Sequence, residues 1–158
     1  MPTHHRDHAV LVALGTGMAP CRAFICDRVA ARAEGEKVGQ MILFFGARHR
    51  ASEFMYEDEL EQYMKEGTLT DLYPAFSRDQ KEKIYVHHLM RQNRKQLYEL
   101  LHPNAGAGIY YACGSGAVHD CRKEIVDAFV QFGGNTEQEA DAILTQMQLE
   151  GKYNVEAW

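Results

Sequence analysis

The sequence predicts an α/β protein: a doubly wound, mainly parallel sheet of five to six strands with helices on both faces. Continuous apolar runs of strand length, such as residues 9–14 and 109–113, are typical of strands buried on both faces. Stretches with helical periodicity separate these runs, and strands that alternate with helices form parallel sheets through crossover connections. Glycine-rich turns at 15–17 and 114–116 each join a strand to a helix.

The first half of the chain supplies three strands and two helices. Residues 9–14 are the first strand, and a helix over 18–33 follows, with a proline in its first turn and a glycine just past its end. The same alternation then recurs, with a strand over 40–46, a helix over about 54–65 and a third strand that ends near Phe76.

The second half continues the alternation after a polar loop. A short apolar segment at 84–86 would bring the number of strands to six. The remaining predicted elements, in order, are a helix over about 93–101, a strand over 109–113, a helix over about 118–132, a helix over about 137–149 and a final short strand over 153–158.

Composition limits what the chain can bind. With 158 residues, 46% of them hydrophobic, it can form one globular domain with a core of its own. A net charge of -5 argues against a broad basic face for nucleic acid or an anionic membrane. The apolar stretches are far shorter than the roughly 20 residues that span a bilayer. We therefore expect no nucleic-acid partner and no direct membrane contact.

Cysteine and histidine spacing predicts no metal site. The four cysteines form no CxxC pair, which favours free thiols in a reducing compartment and a cytoplasmic location. His4, His5 and His8 lack the spacing of helical metal ligands, so we interpret them as a solvated lead-in to the first strand.

The first glycine turn is a candidate phosphate site. In doubly wound sheets ligands bind beyond the carboxyl ends of the strands, near the point where strand order reverses. Gly15 and Gly17 could let backbone N–H groups approach a phosphate at a helix N-terminus, and Thr16 adds a hydroxyl. However, Gly-Thr-Gly-Met-Ala-Pro is not the GxGxxG fingerprint. A plain tight turn explains it as well.

The polar loop after the third strand is a candidate site for a 2′-phosphate. It carries a hydroxyl, a guanidinium, an ammonium and a phenol within nine residues, at Ser77, Arg78, Lys83 and Tyr85. Enzymes that use NADP need such cations and donors, whereas NAD enzymes place a carboxylate at the ribose. Acidic residues in the same loop dilute its charge. A solvated charged turn is the alternative.

Three further residues lie at strand ends, and each has a functional and a purely structural interpretation. Cys113 could reach a ring that lies over the sheet edge, or it could be a small core side chain. Arg48 could contact a pyrophosphate or be a surface arginine. Trp158, the only tryptophan, could be a flat lid over an aromatic ligand or a strand end tucked against the core.

Six motifs together resemble the NADP(H)-binding domain of the ferredoxin-NADP reductase superfamily, specifically its diflavin branch. They match in order over nearly the whole chain, and they are Gly-Thr-Gly-Met-Ala-Pro at 15–20, Leu-Phe-Phe-Gly-Ala-Arg at 43–48, Pro-Ala-Phe-Ser-Arg-Asp-Gln at 74–80, Lys-Ile-Tyr-Val-His-His at 83–88, Tyr-Ala-Cys-Gly-Ser at 111–115 and Val-Glu-Ala-Trp at 155–158.

The resemblance implies a role for each matching residue. Residues 15–17 and Arg48 would contact the pyrophosphate. Cys113 and Gly114 would lie against the nicotinamide, and Glu156 would help to position that ring. Trp158 would cover the flavin until nicotinamide displaces it. The 2′-phosphate would be held by Ser77, Arg78, Lys83 and Tyr85, with His87 beside them.

Several positions depart from the family pattern. His87 replaces a frequent glutamine and would make cofactor affinity depend on pH if it lies within reach. Ser115 and Glu156 stand where aspartate is common.

The resemblance also implies a larger protein. Relatives carry an FAD-binding domain and often an FMN domain ahead of this one, so residues 1–158 are expected to be the C-terminal NADP(H)-binding domain of a flavoprotein. Hydride would pass from NADPH to FAD, and electrons would continue through FMN to a haem or iron-sulfur protein. An upstream anchor would place the parent on the cytosolic face of the endoplasmic reticulum.

Two other functions remain open on sequence grounds. One is a Rossmann-like nucleotide-binding or interaction domain without a redox role. The other is a self-contained NAD-dependent dehydrogenase, although 158 residues leave little room for a substrate domain.

Overall fold

Five parallel strands form a single sheet in the computed structural model, which describes residues 4–158. The sheet order is β3-β2-β1-β4-β5, and every neighbouring pair is parallel. The strands are β1 (Ala9–Leu14), β2 (Met41–Ala47), β3 (Asp71–Phe76), β4 (Gly108–Cys113) and β5 (Tyr153–Ala157).

Helices cover both faces of this sheet, so the predicted doubly wound fold is confirmed. The helices are α1 (Met18–Ala33), α2 (Arg50–Glu53), α3 (Glu57–Glu66), α4 (Val86–Gln92), α5 (Arg94–Leu101), α6 (Ser115–Gly133) and α7 (Glu137–Leu149). Buried side chains of α1 and α3 pack on one face, and those of α4 to α7 pack on the other.

The central position of β1 in the sheet explains why its sequence is apolar throughout. Val10 and Val12 pack towards α4 to α7, while Leu11 and Ala13 pack towards α1 and α3. All four side chains are fully buried. A central parallel strand has no solvent face, so polar alternation is absent from it. Each face of the sheet thus has a hydrophobic core, and the two cores together form the buried interior of the chain.

Most predicted boundaries agree with the structure to within one residue. The strand over 9–14 and the helices over 18–33 and 137–149 are confirmed as predicted. Helix α6 begins three residues earlier than predicted, because Gly114 has extended backbone and lies at the N-cap. None of the helices within residues 4–158 is long and apolar enough to cross a bilayer.

The prediction of one helix over 54–65 was wrong. The chain forms the short helix α2, breaks, and starts again as α3. The break is at Tyr56, whose φ of 62° is left-handed and cannot continue a right-handed helix. The guanidinium of Arg22 lies 4.8 Å from the centre of the Tyr56 ring, a cation–π contact that holds the ring in this conformation.

The apolar segment at 84–86 adds no strand to the sheet. Ile84 and Tyr85 are exposed and irregular, and Val86 is the first residue of α4, a helix that the sequence did not predict. Val86 and Met90 are both buried and lie one helical turn apart, so the apolar signal is that of a helix face.

The connections define a topological switch point. From β1 the chain moves outward to β2 and β3, and then it returns across the sheet to β4 and β5. Strand order therefore reverses between β1 and β4. In open α/β sheets the crevice beyond the carboxyl ends of strands at such a point is where ligands bind.

Candidate functional site

A cavity of about 520 Å³ lies at the carboxyl edge of the sheet. Its volume falls in the range of small-molecule sites, roughly 300–1,000 Å³. Residues in or just after each of the five strands contribute to its wall, namely Leu14, Gly15 and Thr16 at β1, Gly46, Ala47 and Arg48 at β2, Ala75 and Ser77 at β3, Gly114 and Ala117 at β4, and Trp158 at β5.

The first glycine turn forms one part of the wall. Gly15 has a φ of 51°, a left-handed conformation that favours glycine, and both Gly15 and Thr16 line the cavity. The turn leads directly into α1, a helix of 16 residues. The free N–H groups and the dipole of a helix N-terminus favour an anion at this position.

Gly17 has a packing role that the sequence did not predict. It is buried and lies outside the cavity lining. A Cβ atom at this position would lie 1.9 Å from the carbonyl oxygen of Ala112 on β4. The absence of a side chain therefore lets the turn pack against the neighbouring strand, which brings the start of α1 close to the sheet.

The loop after β3 is fixed to the end of β2 by backbone and side-chain hydrogen bonds. The N–H of Arg78 donates to the carbonyl of Arg48 at 2.9 Å. Asp79 accepts from the N–H of Arg50 at 2.9 Å, and its carboxylate lies 3.0 Å from Nδ1 of His49. These two contacts hold the pKa of Asp79 below its usual value. Its charge thus fastens the loop.

Two of the predicted 2′-phosphate residues line the cavity, and two flank it. Ser77 and Tyr85 are in the wall. Arg78 and Lys83 are exposed beside them and lie outside the lining. The structure thus brings the hydroxyl and the phenol together, with both long cations in the same loop.

His87 is part of the cavity wall beside Tyr85. The two rings are stacked, with their centres 5.8 Å apart. The ring of His88 lies 4.1 Å from that of His87. Burial lowers the pKa of His87, and the neighbouring His88 lowers it further. His87 is therefore neutral at pH 7 when the cavity is empty of anions.

Two carboxylates in the wall were missed by the sequence reasoning. Glu53 accepts a hydrogen bond from the N–H of Arg48 at 2.9 Å, and its carboxylate lies 3.6 Å from Nε of the same arginine. Asp120 lies 3.9 Å from Nδ1 of His87. Glu53 belongs to a stretch interpreted as a polar turn. Asp120 lies three residues after Ala117, on the same face of α6. The predicted helix began at residue 118 and left Ala117 out, so the sequence did not place these two residues side by side.

The two proposed nicotinamide partners Cys113 and Glu156 lie outside the lining and on different faces of the sheet. Cys113 is fully buried in the core formed with α4 to α7, and burial raises the pKa of its thiol to about 11. Glu156 is exposed and interacts with Tyr110, which belongs to the core on the α1 side. At neutral pH Cys113 is thus a protonated thiol.

Trp158 stands at the β5 end of the cavity. The residue is 64% exposed, yet it contributes to the wall. Its carbonyl oxygen accepts a hydrogen bond from the N–H of Ser115, the first residue of α6, at 3.4 Å. The backbone of Trp158 is therefore fixed to the start of α6, and the residue lines the cavity without being part of the core.

Within the part of the chain that the structure describes, no three His, Cys, Asp or Glu side chains come together as metal ligands. In the N-terminal histidine run, His5 lies 2.8 Å from Asp27 and 2.9 Å from Glu36. Hydrogen bonds to Glu36 and Asp27 raise its pKa. His5 thus fastens the lead-in segment to α1 and the loop that follows it.

Comparisons with known proteins agree with this geometry. The family model described as the oxidoreductase NAD-binding domain matches residues 11–123. The chain is 37% identical to an NADPH–cytochrome P450 reductase of Drosophila melanogaster, over all of this chain and 23% of that protein. It is 34% identical to the corresponding protein of Oryctolagus cuniculus, again over all of this chain and 23% of the relative.

A third relative comes from a protozoan. The chain is 37% identical to a pyruvate dehydrogenase [NADP(+)] of Cryptosporidium parvum, over all of this chain and 9% of that protein. The chain thus spans less than a quarter of the length of these relatives. The matched model and the relatives confirm the resemblance that the six motifs indicated. The chain belongs to the family of oxidoreductase NAD-binding domains, in the diflavin branch of the ferredoxin-NADP reductase superfamily.

Proposed function

We propose that this chain is the NADP(H)-binding domain of a larger diflavin oxidoreductase. In the parent protein, hydride would pass from NADPH to FAD, and electrons would continue through FMN to a haem or iron-sulfur protein. The observation that carries this proposal is a cavity at the switch point that extends from the loop after β3 to Trp158 after β5. Four strand spacings of about 4.8 Å separate these edges, which suits an elongated dinucleotide.

The adenosine end would lie at the β3 side. Ser77 and Tyr85 offer hydroxyl groups in the wall, and Arg78 and Lys83 are close enough in sequence to reach a phosphate from the rim. Charge-assisted hydrogen bonds contribute about 1.5 to 3 kcal/mol each. Asp79 is held by His49 and Arg50, so it offsets the positive charge of this loop less than the sequence suggests.

The pyrophosphate would lie over the first glycine turn. Gly15 and Thr16 present backbone at the start of α1, and Arg48 reaches the cavity from β2. Arg48 is paired with Glu53, whose carboxylate orients the guanidinium and reduces its net charge. An anion would therefore compete with Glu53 for this arginine.

The nicotinamide end would lie at the β4 and β5 side, against Gly114 and under Trp158. The cofactors supply the hydride chemistry, and the protein orients the ring and excludes water. Cys113, just before Gly114 at the end of β4, is buried outside the lining as a neutral thiol. Glu156 would need to approach from the exposed edge of β5.

The parent protein would supply the remaining parts. We propose that the FAD-binding and FMN domains precede this domain in the same polypeptide, because the relatives are more than four times its length. Four free cysteines fit a reducing, cytoplasmic location. A parent with an anchor would work at the cytosolic face of the endoplasmic reticulum.

Titration calorimetry tests the proposal on the 158-residue chain. We expect NADP+ to bind about a hundredfold more tightly than NAD+, which corresponds to two charge-assisted hydrogen bonds. Arg78→Glu should abolish this preference. Lys81→Glu, in the same loop, is the matched control and should retain it.

Trp158 provides a second readout, since it is the only tryptophan. Its fluorescence should be quenched by NADP+ when nicotinamide approaches the indole. Equal affinity for NADP+ and NAD+ would refute the NADP(H) assignment. An absence of any nucleotide response would favour an interaction domain without a redox role.

A further inference from the structure

The cavity contains one side chain that can change its charge near neutral pH. The imidazole of His87 is 18% exposed and lines the cavity next to Tyr85, with the two rings stacked. Tyr85 and Ser77 are the hydroxyl donors proposed for the 2′-phosphate. An anion bound to them would therefore lie near His87.

The groups around His87 act on its proton in opposite directions. On α4, the ring of His88 is 4.1 Å away and the cation Arg91 lies one turn further, and both disfavour a charged His87. On α6, Asp120 at 3.9 Å and the more distant Glu124 favour it. Glu124 is bound by Arg91 and Arg94. Asp120 is thus the carboxylate that remains available to His87.

The neighbouring His88 is bound to the backbone at the start of α4. Its Nδ1 accepts a hydrogen bond from the backbone N–H of Tyr85 at 3.1 Å, at the start of α4. This bond shapes the start of the helix that carries His87.

We propose that His87 is a proton-linked selectivity residue for the 2′-phosphate: it is neutral in the free cavity and takes up a proton from solvent when a 2′-phosphate dianion binds. Asp120 sets how readily this happens, because it favours the charged imidazole but repels the phosphate. This inference rests on the proposed function and adds regulation by pH to the same site.

The sign of the linkage follows from the two states. In the free protein the pKa of His87 lies below its usual value, and a bound dianion raises it. The bound state therefore holds more protons, and affinity increases as the pH falls between these two values. A phosphate monoester with a pKa near 6 would release protons on binding as a dianion. A net uptake of protons on binding would therefore come from His87 and not from the ligand.

Calorimetric titration in phosphate-free buffers of low and high ionisation enthalpy measures this uptake directly. The probes are 2′,5′-ADP, which carries the 2′-phosphate, and 5′-AMP, which lacks it. We expect proton uptake with 2′,5′-ADP alone. Its affinity should increase about threefold from about pH 8.5 to about pH 6.5 for a shift of about one pKa unit, and the full tenfold would be reached only below the pKa of the free protein.

Three variants make the test specific. His87→Gln keeps a polar side chain that cannot be charged, so proton uptake and the pH dependence above pH ~6.5 should vanish. His119→Gln, an exposed histidine on α6 outside the lining, should behave as the wild type. Asp120→Asn should bind 2′,5′-ADP more tightly near pH ~8.5 and move the affinity profile to lower pH.

Undiminished proton uptake in His87→Gln would overturn the inference, as would equal uptake with 5′-AMP. If 2′,5′-ADP binds no more tightly than 5′-AMP to the wild type, the proposed function fails and this inference fails with it. If 2′,5′-ADP is preferred but its binding is independent of pH, the proposed function stands and only the role of His87 is overturned.

Discussion

Gly17 shows how a residue in a binding motif can be required for packing. In sequence it stands beside Gly15, and the two look equivalent. In the structure Gly15 has a left-handed φ and faces the cavity, whereas Gly17 is buried where a Cβ would meet the carbonyl of Ala112 at 1.9 Å. The first glycine shapes the turn, and the second lets it approach β4.

We predict that Gly17→Ala destabilises the fold by about 2 kcal/mol or more, because backbone must move to accept the methyl group. Gly116→Ala is the control, since a Cβ there meets no heavy atom of residues 4–158 within 4 Å. Urea denaturation of both variants measures the difference. Equal free energies of unfolding for Gly17→Ala and the wild type would contradict the packing role.

Residue types at strand ends were predictable, but their partners were not. Ser77, Tyr85 and His87 line one cavity because β3 ends and α4 begins at the same edge of the sheet. Glu53 and Asp120 share that cavity without any motif to mark them, since their position depends on where α2 and α6 begin. Sequence periodicity does not fix helix starts to the residue, so the acidic side of the site emerged only from the structure.

At the scale of elements, α6 is joined to α4 and α5 through a buried carboxylate. Glu124 on α6 is 1% exposed. Arg91 donates to it at 2.8 Å and Arg94 at 2.5 Å, and Arg94 also contacts Asp127. Burial alone would raise the pKa of Glu124, but the arginine hydrogen bonds outweigh burial and hold it below its usual value. The network positions the helices that carry His87 and Asp120.

We predict that Arg94→Met lowers the free energy of unfolding by about 2 kcal/mol at pH 7, because it leaves Glu124 charged, buried and bound only by Arg91. Since the folded-state pKa of Glu124 is lowered, its contribution is present above the unfolded value near 4.3 and is lost as pH falls through the folded value. The deficit of the variant should therefore shrink with acidification.

Urea denaturation of Arg94→Met at about pH 7 and about pH 4 follows this change. Lys95→Met serves as the control, since the pair of Lys95 and Glu99 is exposed and 3.8 Å apart. Such a pair contributes less than about 1 kcal/mol. A deficit of Arg94→Met that stays constant with pH would argue against the buried carboxylate as its cause.

Element boundaries were predictable where the physical signal was local. Helix α7 begins at a capping box, with Thr136 and Glu139 each bound to the backbone N–H of the other, and its predicted bounds are confirmed. The break at Tyr56 depends instead on Arg22 of α1, a contact between distant parts of the chain. Local periodicity could not show it.

At the scale of the whole molecule, the fold class and the edge that carries the site followed from alternation alone. The order β3-β2-β1-β4-β5 then brings all five carboxyl ends to one cavity. Ligand that binds this edge contacts elements from both halves of the chain, so binding and global stability are linked.

We predict that NADP+ at a hundred times its dissociation constant stabilises the chain by about 2.7 kcal/mol. For a domain of this size that corresponds to an increase in Tm of about 5–10 °C. The same concentration of NAD+ should give a clearly smaller increase. Differential scanning calorimetry measures both, and indistinguishable increases would count against recognition of the 2′-phosphate.

The position of β1 in the sheet has a consequence during synthesis. β1 is the first strand of the sheet to leave the ribosome, yet it is the central one. It can pair with β2 after about 30 residues, but its other edge waits for β4, where Ala9 meets Gly108 about a hundred residues later. Until then a wholly apolar strand keeps one unpaired edge, which is prone to aggregation. Folding of this domain should therefore be slow, and chaperones would be needed most between the synthesis of β3 and β4.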